Sequence, residues 1–135
     1  MQGLGFNKIR RLVDDIDGLS AYIHDVEPVE SLSNTYGHNG GLNFTVMLPN
    51  NAFTKLLIRY RLLDDTYTIE LTKYDKVNFK YDSAVVDEFS LVSLLQQLYE
   101  EISILNSMRL DDLNFVMSKS GQKDLKKLKQ LDKNL

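Results

Sequence analysis

Residues Leu56 to Tyr81 read LLIRYRLLDDTYTIELTKYDKVNFKY. Folding Leu56–Leu63 onto Thr66–Thr72 across a two-residue turn at Asp64-Asp65 sets Leu62 opposite Tyr67, Tyr60 opposite Ile69 and Ile58 opposite Leu71. The other face then pairs Arg61 with Thr68 and Arg59 with Glu70. A second turn through Lys73-Tyr74-Asp75 brings Val77, Phe79 and Tyr81 against Leu71, Ile69 and Tyr67, and Asn78 and Lys80 against Glu70 and Thr68. One face is apolar and the other polar. A slip of one residue would move the apolar set to the wet face, so alternation specifies the pairing. The segment predicts an antiparallel meander with one buried face.

Upstream, Asn43–Leu48 alternates with Phe44, Val46 and Leu48 on one side and predicts a preceding strand that ends at Pro49-Asn50-Asn51. Phe53, Leu56, Leu57 and Tyr60 also fit a helix capped by Asn50 or Asn51. The two-sided match with Thr66–Thr72 favours a strand from about Lys55. Val29–Gly41 holds Ser31, Ser33, Asn34, Gly37, Asn39, Gly40 and Gly41 and reads as a loop.

Phe6, Ile9, Leu12 or Val13, Ile16, Leu19 and Ile23 recur at helical spacing, so Phe6–Ile23 predicts a helix with Asn7 as a candidate N-cap. Gly18 invites a break near Asp17-Gly18, and Pro28 supplies a stop. After the meander, Asp87 or Ser90 can cap a second helix whose stripe is Leu91, Leu94, Leu95, Leu98, Ile102 and Leu105. This stripe should cover the Tyr60/Ile69/Phe79 face. Residues 110–117 are apolar but irregular, either a short strand or a helical turn. Past Gly121, Leu125, Leu128, Leu131 and Leu135 recur among lysines and predict a short tail helix. The expected architecture is α+β and two-layered. It has a four-stranded antiparallel meander, N- and C-terminal helices on one face, and a short C-terminal tail helix. Residues 1–118 form a single α+β domain and 119–135 a basic, leucine-striped tail.

The 135 residues, 43% hydrophobic and 26% charged, suit one soluble globular domain. There is no cysteine, which excludes disulfides, thiolate metal sites and a cysteine nucleophile. It also points to an intracellular protein, in the cytoplasm or a nucleus. No apolar run reaches the roughly 20 residues of a membrane span, and the opening MQGLGFNK predicts no signal peptide. No membrane association is expected. The net charge of −3 is uneven: residues 119–135 hold six lysines against two aspartates, a net +4, which leaves −7 on the other 118 residues. An acidic body with a basic end concerns partners rather than fold.

No catalytic signature stands out. Tyr36-Gly-His-Asn-Gly-Gly41 precedes a strand, whereas phosphate-cradling loops follow a strand and open a helix. His24 and His38, with Asp25, Glu27 and Glu30, lack any ligand spacing. His24 reads as a cation at a helix C-terminus. A Ser31 or Ser33, His38 and aspartate set has no nucleophile elbow. Asp14-Asp15-x-Asp17 and Glu100-Glu101 read as solvated faces. No metal, cofactor or catalytic residue is therefore assigned, and no enzyme activity is expected.

The surplus apolar positions are Val92, Tyr99 and Ile104, which lie off the second helix's stripe. Together with Leu125, Leu128 and Leu131 they form the candidate partner-binding set of an interaction module, adaptor or accessory subunit of a larger complex. The partner is a protein or a second copy. The alternative is a nucleic-acid-associated accessory protein using Arg59, Arg61, Lys80, Lys126, Lys127 and Lys129. It is weakened because the tyrosines and Phe79 are expected on the buried face, away from the arginines. The order helix, four strands, helix resembles RWD-type interaction domains, which act as docking modules in larger assemblies. The proline-rich turn that follows the early strands of that family has no counterpart here, so no residue carries over.

Overall fold

The computed structural model describes residues 4–31, 37–74 and 79–116. The order is α1 (Leu4–Asp14), a 3-10 turn (Leu19–Tyr22), β1 (Ile23–Val29), β2 (His38–Met47), β3 (Phe53–Arg61), β4 (Thr66–Tyr74), β5 (Phe79–Val86), α2 (Glu88–Ser107) and α3 (Leu110–Val116). The strands form one antiparallel sheet in the order β1-β2-β3-β4-β5. The class is α+β, as the patterning predicts, but the sheet has five strands rather than four. The extra strand also departs from the four-strand order on which the RWD resemblance rests.

The added strand is β1, and its concealment has a physical cause. Ile23, Val26 and Val29 are spaced by three, which mimics a helix. The spacing arises because the ladder shifts between His24 and Glu27, where Asp25 takes a positive φ of 54°. A bulge inserts a residue and breaks the period of two. Pro28, read from sequence as a helix stop, sits in this strand at the sheet edge, where a missing N–H is tolerated. Gly18 does break the first helical pattern, as expected. It adopts φ 87°, and α1 ends at Asp14.

Between β3 and β4 the register differs from expectation by two residues. Tyr60 faces Tyr67, Ile58 faces Ile69 and Leu56 faces Leu71. An even shift keeps every side chain on its face, so alternation alone does not distinguish the two registers. The loop does. Residues 62–65 all lie outside the ladder, and Asp65 adopts φ 55°. Asp64 accepts from the Thr66 hydroxyl at 2.6 Å and from Arg61 Nη2 at 2.7 Å. Leu62, expected over the core, is exposed instead.

The β4–β5 register shifts by an odd number, and that changes faces. β4 continues to Tyr74, and β5 pairs Tyr81 with Thr72, Ala84 with Ile69 and Val86 with Tyr67. Tyr81 therefore stands on the outer face, not over the core.

The core lies between the inner face and both helices. Ile9 and Val13 of α1 join Leu91 and Leu95 of α2 over Phe44 and Ile58 in one buried cluster. Asp87 caps α2 as expected, accepting from Ser90 N at 2.7 Å. Within the irregular 110–117 segment, Leu110–Val116 is helical as α3 and buries Leu113, and Met117 lies outside the described residues. The side-chain amide of Asn50 at the β2–β3 turn donates to Asn114 Oδ1 of α3 at 3.2 Å.

Candidate interaction surface

Three side-chain groups bring polar chemistry or exposed apolar surface to the described residues. The first is on the outer face of the sheet. Register places Lys55, Leu57, Arg59 and Arg61 of β3 on the same face as Thr68, Glu70, Thr72 and Tyr74 of β4 and Tyr81 of β5. Arg59 Nη1 lies 3.8 Å from Glu70 Oε2 across the ladder. Glu70 also accepts from the Tyr81 hydroxyl at 2.7 Å, and that bond raises the phenol's pKa. Arg61 bonds Asp64, whose carboxyl is held below its usual range first by the Thr66 hydroxyl and then by the guanidinium. The rings of Phe53 and Tyr74 are 5.3 Å apart. His38 sits opposite Arg61. Burial pushes its pKa down, and Arg59 and Arg61 push it the same way.

Phe53, Tyr74 and Tyr81 therefore share a face with the arginines, contrary to the expectation that set nucleic acid aside, whereas Tyr60 and Tyr67 lie on the buried face as expected. Lys80, by contrast, faces Lys73 on the helix side and does not join Arg59 and Arg61. Thr66, Thr68, Glu70, Thr72 and Tyr74 alternate without interruption, and following that run past Thr72 would have placed Tyr74 outward from sequence.

The second group is on α2. Tyr99 is half-buried, with its ring 6.2 Å from that of Tyr22 and its hydroxyl where a Cβ on Gly18 would sit. It is one of the off-stripe residues and it meets the turn after α1. Val92 is half-buried, and Ile104 is 59% exposed. Phe89 is 81% exposed in the first turn and Leu110 is exposed at the start of α3. Glu101 pairs with Lys73 at 3.5 Å. Leu125, Leu128, Leu131, Lys126, Lys127 and Lys129 lie outside the described residues.

The third group closes one end of the sheet. Tyr60 donates to Asp65 Oδ1 at 2.7 Å and Tyr67 to Glu88 Oε1 at 3.2 Å, with Lys8 Nζ 5.1 Å from the Tyr60 ring centroid. The hydrogen bond to Asp65 raises the Tyr60 pKa, and burial does most to raise that of Tyr67. These are protonated donors, each tied to its own carboxylate.

The remaining sequence candidates separate in space. His24 lies exposed in β1 rather than at a helix C-terminus. The Gly-rich segment runs into β2, where a Cβ on Gly41 would collide with the Ile58 carbonyl, so close strand packing accounts for that glycine. Asp14 pairs with Arg10 at 3.3 Å. Among the described residues, no group of three His, Asp or Glu side chains is placed to hold a metal ion, and no helix is long and apolar enough to cross a membrane. Compared with known proteins, the chain matches no family model, no curated protein and no solved structure.

Proposed function

We propose that the chain is a non-enzymatic protein–protein interaction module, an adaptor or accessory subunit of a larger complex. Its partner engages the C-terminal part of α2 together with the sequence beyond residue 118. The observation that carries this reading is the exposure of Ile104 on a helix whose other apolar stripe is buried. Leu110 at the start of α3 is also exposed, and the leucine-striped, lysine-rich segment 119–135 follows it in sequence. An exposed apolar strip rimmed by charge is the usual form of a helix-mediated contact. Removing residues 119–135 should abolish partner binding and leave the melting temperature nearly unchanged. Unaltered binding would remove the tail from the interface.

A second reading is supported by a specific observation. Phe53, Tyr74 and Tyr81 share the outer face with Lys55, Arg59 and Arg61, an arrangement that suits single-stranded nucleic acid. Glu70 and Asp64 offset both guanidinium groups, and the body is acidic, so the protein partner is preferred.

A further inference from the structure

The two edges of the sheet are built differently. β1 is guarded: Asp25 bulges the ladder, Pro28 removes a donor, and Asp25, Glu27 and Glu30 add negative charge. Each of these is a recognised defence against strand addition. β5 has neither a bulge nor a proline; its charge sits on Lys80 and Asp82 of the helix-side face, and Asp82 Oδ1 accepts from Ser83 N within the strand at 2.9 Å. Its eight residues contain no proline and no positive φ, and among the described strands it is hydrogen-bonded only to β4. Tyr81 and Val85 are each 55% exposed on its outer face, and Lys80, Asp82 and Ala84 are exposed on the other.

Lys80 and Asp82 carry opposite charges two residues apart on one face, and this makes the strand selective. In an antiparallel pair related by a two-fold axis normal to the sheet, residues on the same face meet. Setting Tyr81 opposite the second copy's Tyr81 places Lys80 opposite Asp82, and Asp82 opposite Lys80. Moving the register by one pleat in one direction sets Asp82 against Asp82. Moving it in the other sets Lys80 against Lys80. Like charges directly opposite each other are unfavourable, so one register is complementary and both its neighbours are repelled.

We propose that the chain self-associates through β5, pairing antiparallel with β5 of a second copy in the Lys80–Asp82 register. The two sheets then continue as one, with α1 and α2 of both copies on the same side. Backbone hydrogen bonds and the facing Tyr81 pair on the outer face hold the contact, and the charges set its register. This proposal uses β5 and not the α2 residues named above.

The test is sedimentation equilibrium on the full chain, wild type and the variants Lys80→Glu and Asp82→Lys. Wild type should approach twice the 15.5 kDa chain mass as concentration rises. Each single variant should associate at least about tenfold more weakly, because each sets like charges opposite one another twice. An equimolar mixture of the two variants should regain association. In the mixed pair the two carboxylates of the first variant face the two ammonium groups of the second, so both cross-strand pairs are again opposite in charge. That recovery also shows that both variants are folded. A wild type that stays monomeric overturns the proposal. So does a dimer indifferent to both substitutions, or a mixture no tighter than its components. None of these results bears on partner binding by α2 and the tail, which the tail deletion reads separately.

Discussion

The ring of Tyr60 lies 5.3 Å from that of Tyr67, directly across the β3–β4 ladder, and each hydroxyl leaves the core to donate to a carboxylate. Tyr67 is only 1% exposed, so its phenol is held protonated by burial and by Glu88. Tyr67→Phe loses one hydrogen bond and should cost about 1 kcal/mol. The pH dependence has a definite sign. The folded-state pKa lies above the usual 10.0, so the stabilisation is complete below pH 10.0 and is lost as pH rises through the folded value. Denaturant titrations above pH 10.0 should show wild-type stability falling faster than that of Tyr67→Phe.

Gly18 ties α1 to the sheet by a backbone form that other residues resist. An alanine there must accept φ 87° with its Cβ 2.6 Å from the Tyr99 hydroxyl oxygen. Gly18→Ala should lose about 1–2 kcal/mol from the left-handed backbone. In a Tyr99→Leu background the steric part should vanish, and a double-mutant cycle measures it. A neutral Gly18→Ala would contradict the assignment.

His38 should titrate below its ordinary 6.5, because burial and the Arg59 and Arg61 guanidinium groups disfavour the cation. The unfolded chain then binds the proton more readily than the folded one. Stability should fall as pH drops below 6.5, and His38→Phe should flatten that slope. An NMR titration of the imidazole gives the midpoint directly.

Much of this fold is legible in the sequence because its main signals are local. The alternation of Leu56, Ile58 and Tyr60 marks the inner face of β3, Asp87 marks the start of α2, and Gly18 marks the break after α1. What escapes is what alternation leaves open. A two-residue register shift preserves faces, so the pattern matches Tyr60 with Ile69 where Tyr67 stands. Only the capping bonds of Asp64 and the left-handed Asp65 separate the two registers. β1 is hidden because its bulge spaces Ile23, Val26 and Val29 like a helix. Of the candidate surface, Ile104 is legible as an off-stripe residue. The outward Tyr81 is not, because its face depends on how far β4 runs before turning.

The nucleic-acid reading has its own discriminating result. A fluorescent single-stranded oligonucleotide should show no saturable binding at physiological salt if the partner is a protein. Saturable binding that weakens steeply with salt and is lost in Tyr81→Ala and Arg59→Gln would favour the outer sheet face instead.

Parallel affinity capture from the protein's own cells decides whether α2 and the tail form the interface. The baits are the full chain, the full chain carrying Ile104→Glu, and a chain ending at Ser118, and mass spectrometry quantifies the bound proteins. Ile104 is exposed, so its substitution should leave the melting temperature unchanged. The expected result is a protein retained by the full chain and lost from both altered baits, all three being equally folded. The same proteins retained in the same amounts by all three would contradict the interaction reading.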